Sequence, residues 1–484
     1  MIDAGNDTDP LYEYHEDFRD NIATVDETGH RVWLFPKKPK GSLYQWRKAV
    51  TVVLLALFFS GPFITLGGQP LLLLDIFERK FIVLGQVFWP QDFVLLAISL
   101  LTFFVFIILF TVVFGRIWCG WMCPQTLFME MVFRKIEFWI EGDGAAQRKL
   151  KESPMTLSKL GKNIAKHTLF IAISLMIAHT AMAYLIGIDK TVAIIQHNPL
   201  NNVSGFMAII AFTGIFYFVF AKFREQVCIA VCPYGRLQGV LLIKESIIVA
   251  YDWIRGEPRA KLKRGALPVV KTGDCIDCKL CISVCPTGID IRNGTQMECV
   301  NCTACIDACD EVMIKINKPT GLIRYASYNS IKTGKSKLIT TRVIGYSVVL
   351  VMLIGLLSFS ILSRSAVETN AFKVSGTLYQ KDEEGFVSNL YNIEFVNKSF
   401  DTLHLELRVE SPGTALLIKP DNRPIIVPAQ GLLKTIYFIK IPSADIVTAR
   451  TVVLLGVYKQ GVLLEKLNVK FIGPVPARSL KKSL

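Results

Sequence analysis

The sequence predicts an α-helical membrane protein of five transmembrane helices, with an inserted cysteine-rich cytoplasmic domain and a C-terminal immunoglobulin-like β-sandwich. Three observations predict this. The 484 residues are 51% hydrophobic and 19% charged, with a mean hydropathy of +0.41, which is more apolar than ordinary soluble enzymes. Uncharged apolar runs of ~17–25 residues, long enough to cross a ~30 Å hydrocarbon core, occur five times. After the fifth, the texture changes to short β-rich runs. Aromatic content of 11%, with 33 Gly and 21 Pro in no period, excludes a disordered or fibrous chain.

The predicted spans run over 49–66, 93–114, 168–188, 203–221 and 343–362. Gly61 and Pro62 should kink the first near its far end. The 48 residues before it include the basic run Arg31, Lys37, Lys38, Lys40, Arg47 and Lys48, so this span reads as a retained anchor, not a cleavable signal peptide. Cytoplasmic loops accumulate Lys and Arg. The 67–92 loop holds only Arg79 and Lys80, and the 189–202 loop only Lys190, whereas 115–167 carries nine basic residues and 222–337 carries eighteen. The last two segments and the N-terminus are therefore expected in the cytoplasm, and 363–484 outside. The net charge of +14 follows from this topology and suits anionic lipid headgroups. Nucleic acid is not expected, because no aromatic-interleaved basic groove accompanies the charge.

All twelve cysteines lie in the segments read as cytoplasmic, where thiols stay reduced, so metal or redox chemistry is expected of them rather than disulfides. Cys275, Cys278, Cys281 and Cys285-Pro286 form C-x-x-C-x-x-C-x-x-x-C-P, and Cys299, Cys302, Cys305 and Cys309 repeat the spacing. This is the pattern of a two-cluster bacterial ferredoxin, in which three close thiolates hold one [4Fe-4S] cube and the fourth reaches to the other. Cys275, Cys278, Cys281 and Cys309 should hold one cluster, and Cys285, Cys299, Cys302 and Cys305 the second. Zinc also binds C-x-x-C pairs but takes two pairs, not eight cysteines in this double repeat. One departure is Asp310 after Cys309, where a Pro often stands.

The other four cysteines form Cys119-Gly-Trp-Met-Cys123-Pro124 and Cys228-Ile-Ala-Val-Cys232-Pro233, each following a predicted hairpin of spans. This is an internal repeat, offset by 109 residues. If a helix continues through the motif, the two thiols share a face, and two such faces make four soft ligands at the membrane surface. These candidate catalytic residues admit a Cu(I) site, with Met122, Met129 and Met131 nearby, or dithiols that cycle with disulfides, or inert buried cysteines. The duplication argues against the last and leaves the first two open.

His179 lies inside the third span, with no facing His in the others, so a satisfied histidine is expected. Thr333-Gly-Lys-Ser336 lacks the earlier glycine of a phosphate loop, because Asn329 stands there, and reads as a polar lead into span five. Asn397-Lys-Ser399 fits a glycosylation acceptor and is assigned no role. Trp118 and Trp121 read as interfacial anchors. Residues 1–30 read as an acidic tail. The β-rich runs are 372–379, 391–396, 403–409, 424–427, 435–441, 451–458 and 466–471, seven strands suited to a sandwich that docks a partner. The expected domains are therefore the tail, 1–48; spans one to four with both C-x-x-x-C-P motifs, 49–232; the ferredoxin-like domain, 233–338; the fifth helix, 339–363; and the sandwich, 364–484.

This combination of five spans, two C-x-x-x-C-P motifs, a two-cluster insert before the last span and a terminal sandwich resembles the FixG/CcoG/RdxA family of cytochrome oxidase accessory proteins. The resemblance covers nearly the whole chain. It implies a multi-pass protein of a Gram-negative inner membrane that assists maturation of cbb-type cytochrome oxidase, by reducing Cu(II) to Cu(I) for a copper-transporting ATPase. Oxidase subunits or that ATPase are then the implied partners beside the lipid bilayer. The eight cysteines from Cys275 to Cys309 match the family's cluster motif, and Cys119, Cys123, Cys228 and Cys232 its membrane-edge motif. Two other functions stay open: an electron-transfer subunit linking quinol to a periplasmic reductase, and a non-catalytic oxidase assembly factor. No dinucleotide fingerprint marks an electron donor, and the oligomeric state is open, a homodimer included.

Overall fold

The structure, a computed structural model, describes residues 30–261 and 272–474 except 79, 84, 85, 89–91, 364, 375, 377 and 422, together with Thr24 and Thr28. Most of the acidic tail expected over 1–30 lies outside the described residues. Five helices are long and apolar enough to cross a membrane: Ser42–Phe63, Phe93–Phe114, Leu157–Ile186, Val203–Phe223 and Thr341–Leu362. Two begin well before the apolar runs that announce them. The first starts at Ser42 because Asp307, more than 260 positions away, supplies its cap: the Asp307 carboxylate accepts from the backbone N–H of Leu43 at 3.2 Å and of Tyr44 at 2.8 Å. Gly41, at φ +138°, leaves room for that carboxylate, since a Cβ there would lie 2.2 Å from Asp307 Cγ. The third starts at Leu157, where the Thr156 hydroxyl accepts from Lys159 N–H, and its first turns are polar. Pro62 sits in a 3₁₀ turn, Gly61–Phe63, that ends the first helix rather than kinking it.

The chain divides into two units, one of Met1–Ile64, Leu73–Glu78 and Phe93–Leu357, the other of Thr65–Leu72, Arg79–Asp92 and Ser358–Leu484. In the first, a cysteine-rich domain is closed by an antiparallel pair, Ile248–Tyr251 with Ile323–Ala326. Its core joins Val249, Ile289, Ile291, Ile306, Met313, Leu322 and Ile323 to the cysteines, each apolar side chain contributing ~1.5–3 kcal/mol. Residues 31–41 are packed, not tail-like. Lys37 N–H donates to Ser283 carbonyl at 2.7 Å, and Arg31 pairs with Glu225 at 2.7 Å and stacks 4.2 Å over Trp33. The Thr333-Gly-Lys-Ser segment closes a short helix, Tyr328–Thr333, with Gly334 as its left-handed cap at φ +72°.

The second unit contains a two-sheet β-sandwich with nine strands among the described residues. One sheet orders Leu416–Ile418, Leu432–Pro442, Phe386–Asn397 and Val367–Lys373, with Gln380–Lys381 beside Phe386–Asn397; the other orders Ile425–Val427, Leu403–Ser411, Arg450–Lys459 and Val462–Ile472. Tyr391, Ile393 and Phe395 interleave with Val453, Leu455 and Val457 in its core. The seven expected strands were too few and several too short, because inward alternation marks only the middle of a strand, and the first was placed about five residues late. Lys398 bridges Asp92 at 2.7 Å and Glu368 at 2.6 Å, so part of the 67–92 loop belongs with this unit. Asn397 spends its buried side-chain amide on the carbonyls of Asp401, Val427 and Pro428.

Candidate functional site

The two cluster motifs share one backbone. Asp277 and Lys279 flank Cys278 at φ +51° and +55°; Asn301 and Thr303 flank Cys302 at +53° and +66°. Four non-glycine residues in the left-handed region are costly, and such turns aim successive N–H groups into a concavity suited to an anionic centre. Each loop then enters a helix, Leu280–Ser283 or Ala304–Lys315, that carries the third cysteine.

The thiols are electrostatic neighbours within and between the two motifs. Cys309 feels Cys281, Cys278 and Cys275, whereas Cys305 feels Cys302, Cys299, Cys285 and Cys281. Cys281, Cys285, Cys299, Cys302 and Cys305 line a cavity of about 20 Å³ walled by Val249, Ile289, Ile291 and Val300. Burial pushes the Cys281, Cys299 and Cys309 thiols up to about 12, so each stays protonated until a metal takes its place. Among the described residues no three His, Cys, Asp or Glu converge on a single ion. A cube asks for no such convergence, since each thiolate binds its own iron. The donor set and the left-handed loops therefore fit iron–sulfur clusters.

The C-x-x-x-C-P motifs do not continue as helices. Cys119 lies in a short helix, Ile117–Trp121, and Cys228 in a π-helical turn, Val227–Val231, but Cys123 (φ −63°, ψ 123°) and Cys232 (φ −70°, ψ 113°) are extended. The prolines require it, because Pro Cδ crowds the helical conformation of the preceding residue. The two thiols of a motif therefore do not share one helix face. The repeat holds nonetheless at its second cysteine. Cys123 N–H donates to Trp118 carbonyl at 2.9 Å and Cys232 N–H to Val227 carbonyl at 2.7 Å, five residues back in each case, and Pro124 and Pro233 open the next helices. Gly115 and Arg224, at matching positions, both have positive φ, +57° and +52°. All four thiols are electrostatic neighbours: Cys228 feels Cys123, Cys119 and Cys232. Burial raises Cys119, against hydrogen bonding by Gln238 and the charge of Arg116, and pushes Cys228 up to about 12.

The first motif is seated directly on the second cluster loop. A Cβ on Gly120 would fall 2.4 Å from Val300 carbonyl oxygen and 2.8 Å from that of Asn301. Cys119 packs with Val300, Cys302, Ala304 and Ala308. Buried Arg116 donates to Cys299 carbonyl at 3.2 Å, to Gly235 carbonyl and to Gln238 Oε1, while Gln238 Nε2 donates to Cys119 Sγ at 3.2 Å. Buried Arg47, on the first span, donates from Nε to Gly120 carbonyl at 2.7 Å and lies close enough to Cys302 to lower its pKa against the larger effect of burial. Trp121 is no mere interfacial anchor: its indole N–H donates to Tyr325 Oη at 3.1 Å.

Sequence reading missed Arg47, Arg116, Gln238 and Gly120. Only the charge of Arg47 and Arg116 beside apolar runs marked them, and that charge had been read as topology. Of the methionines, Met129 fills an apolar cluster with Phe128, Phe133 and Phe170. His179 Nδ1–H donates to Leu175 carbonyl at 2.7 Å, as a satisfied histidine should.

Comparison with known proteins places these features in a family context. Residues 223–328 match the family model described as "4Fe-4S dicluster domain", 96–142 that described as "4Fe-4S binding domain", and 357–474 that of the IG-like fold at the C-terminal of FixG. The chain is 34% identical to protein RdxA of Cereibacter sphaeroides, over 83% of this chain and 86% of the relative. It is 32% identical to RdxB of the same organism, over 87% and 89%. It is 33% identical to the nitrogen fixation protein FixG of Rhizobium meliloti, over 61% and 57%.

Proposed function

This chain belongs to the FixG/RdxA family of iron–sulfur membrane redox proteins, and on that footing we propose that it reduces Cu(II) to Cu(I) and so assists maturation of a cbb-type cytochrome oxidase. The observation that carries the reading is the seating of the first C-x-x-x-C-P motif on the second cluster loop, with Gly120 against Val300 and Cys119 packed against the apolar cluster that contains Cys302. In this reading Cys275, Cys278, Cys281 and Cys309 hold one cluster and Cys285, Cys299, Cys302 and Cys305 the other, from the cytoplasmic side of an inner membrane. Such clusters, when bound, supply one-electron storage and transfer.

The residues of the chain do the rest. The left-handed turns at Asp277, Lys279, Asn301 and Thr303 shape both loops around their cysteines. Gly120 removes the side chain that would hold the membrane-edge motif away. Arg116 ties Cys299, Gly235 and Gln238 into one buried unit, and Gln238 orients Cys119. Cu(II), as substrate, takes one electron per ion at or beside Cys119, Cys123, Cys228 and Cys232, and the electron comes from a donor outside the chain. The sandwich, 364–484, docks a partner on the other side of the membrane.

The test is substitution at the membrane edge. Cys119→Ala and Cys232→Ala should each keep the EPR signals of the reduced dicluster domain and lose copper reduction. Rates equal to those of the parent chain would remove these cysteines from the reaction.

A further inference from the structure

The match to a 4Fe-4S binding domain over 96–142 covers only two cysteines, Cys119 and Cys123. A cube needs four protein ligands. Half of the site is therefore missing from the matched segment, and the fold supplies the other half. The second repeat carries Cys228 and Cys232, each second cysteine extended before its proline and closed by the same five-residue hydrogen bond, and its following helix reaches the first motif through Gln238, which donates to Cys119 Sγ at 3.2 Å.

We propose that Cys119, Cys123, Cys228 and Cys232 hold a third iron–sulfur cluster, two ligands from each repeat. The inference rests on the redox reading above and deepens it by naming what the membrane-edge cysteines carry.

Three further observations support it. The two repeats meet at these thiols: Gln238, on the helix that follows Cys232, donates to Cys119 Sγ at 3.2 Å, and Arg116, three residues before Cys119, donates to Gly235 carbonyl, three residues after Cys232. Four thiolates brought together by the two repeats match in number the four ligands of a cube. The surroundings are those of a cluster site, since the thiols are half-buried and Gln238 donates a hydrogen bond to Cys119 Sγ at 3.2 Å. Gly235 is held to a glycine because a Cβ there would lie 2.3 Å from Cys228 carbonyl oxygen, so the helix opened by Pro233 folds tightly back over its own motif. The same CP step ends the first dicluster motif at Cys285-Pro286.

The experiment is iron and acid-labile sulfide analysis, with Mössbauer spectroscopy, on the full chain purified and reconstituted without oxygen. The expected content is about twelve irons per chain, three four-iron clusters. Cys119→Ser and Cys232→Ser, one in each repeat, should each lose about a third of the iron while keeping the EPR signals of the dicluster domain. About eight irons in the parent chain, or an unchanged content in both variants, would overturn the proposal. The parent chain decides the question even if one variant fails to fold. Three clusters without copper reduction would overturn the reductase reading and leave this one standing, and two clusters with copper reduction would do the reverse.

Discussion

The two motifs of the dicluster domain share a backbone and differ in everything around it. Around the first, Cys278 is exposed, and Arg292 is neutralised by Asp290 and Asp277, both at 2.6 Å. Around the second, Cys302 is buried, the membrane-edge motif leaves no room for a Cβ at Gly120, and two buried arginines, Arg47 and Arg116, have no carboxylate in salt-bridge range among the described residues. An uncompensated buried cation stabilises added negative charge nearby. On the proposed reading the difference gives the domain a direction, with the exposed first motif as the face for a donor and the second, beside two buried arginines, as the face that holds the electron next to the membrane edge.

Substitutions can break this asymmetry, and the largest effect is expected at Arg116. Arg116→Gln strips a donor from buried acceptors at Gly235 and Cys299 and should cost about 3 kcal/mol in thermal or denaturant unfolding. It should also lower the midpoint potential of one EPR-resolved cluster and leave the other in place, whereas equal shifts in both would erase the proposed asymmetry. Gly120→Ala must push the membrane-edge motif off the Val300 carbonyl, at about 2 kcal/mol, and should slow copper reduction at least about tenfold with both dicluster signals retained.

Asp307→Ala removes the cap of the first span across the domain boundary and should cost about 1 kcal/mol. Hydrogen exchange should then rise at Leu43 and Tyr44 with the loops around Cys278 unchanged. The smallest effect sharpens the other side of the comparison. Lys279→Ala, on the exposed first loop, should stay within about 0.5 kcal/mol in stability and alter only the rate with which a soluble donor reduces the protein.

Much of this was legible because some signals are local. Cysteine spacing within a motif is a short-range property, and so a dicluster domain could be read from the chain. The break at Cys123 and Cys232 was also local, since a proline follows each, and the extended cysteine was overlooked in favour of the helical i, i+4 relation. Other features were out of reach. Asp307 caps a helix that begins at Ser42, Arg47 binds Gly120, and Arg116 binds Cys299; each pairing joins residues dozens to hundreds of positions apart, and nothing in either segment points to its partner. The basic residues of 31–48 read as a topology signal, and part of that charge is structural. In the sandwich, strand ends such as Phe386 and Pro442 pair through the main chain, which leaves no trace in side-chain alternation.

The most direct test of a path through the second motif to copper uses the full chain, reduced anaerobically with dithionite and freed of excess reductant, then mixed with Cu(II) while the Cu(II) and reduced-cluster EPR signals are followed together. The account predicts that both signals fall in step, one electron per copper, with the second-motif cluster remaining reduced longest at equilibrium. Persistence of the cluster signals beside unreduced Cu(II) would contradict it.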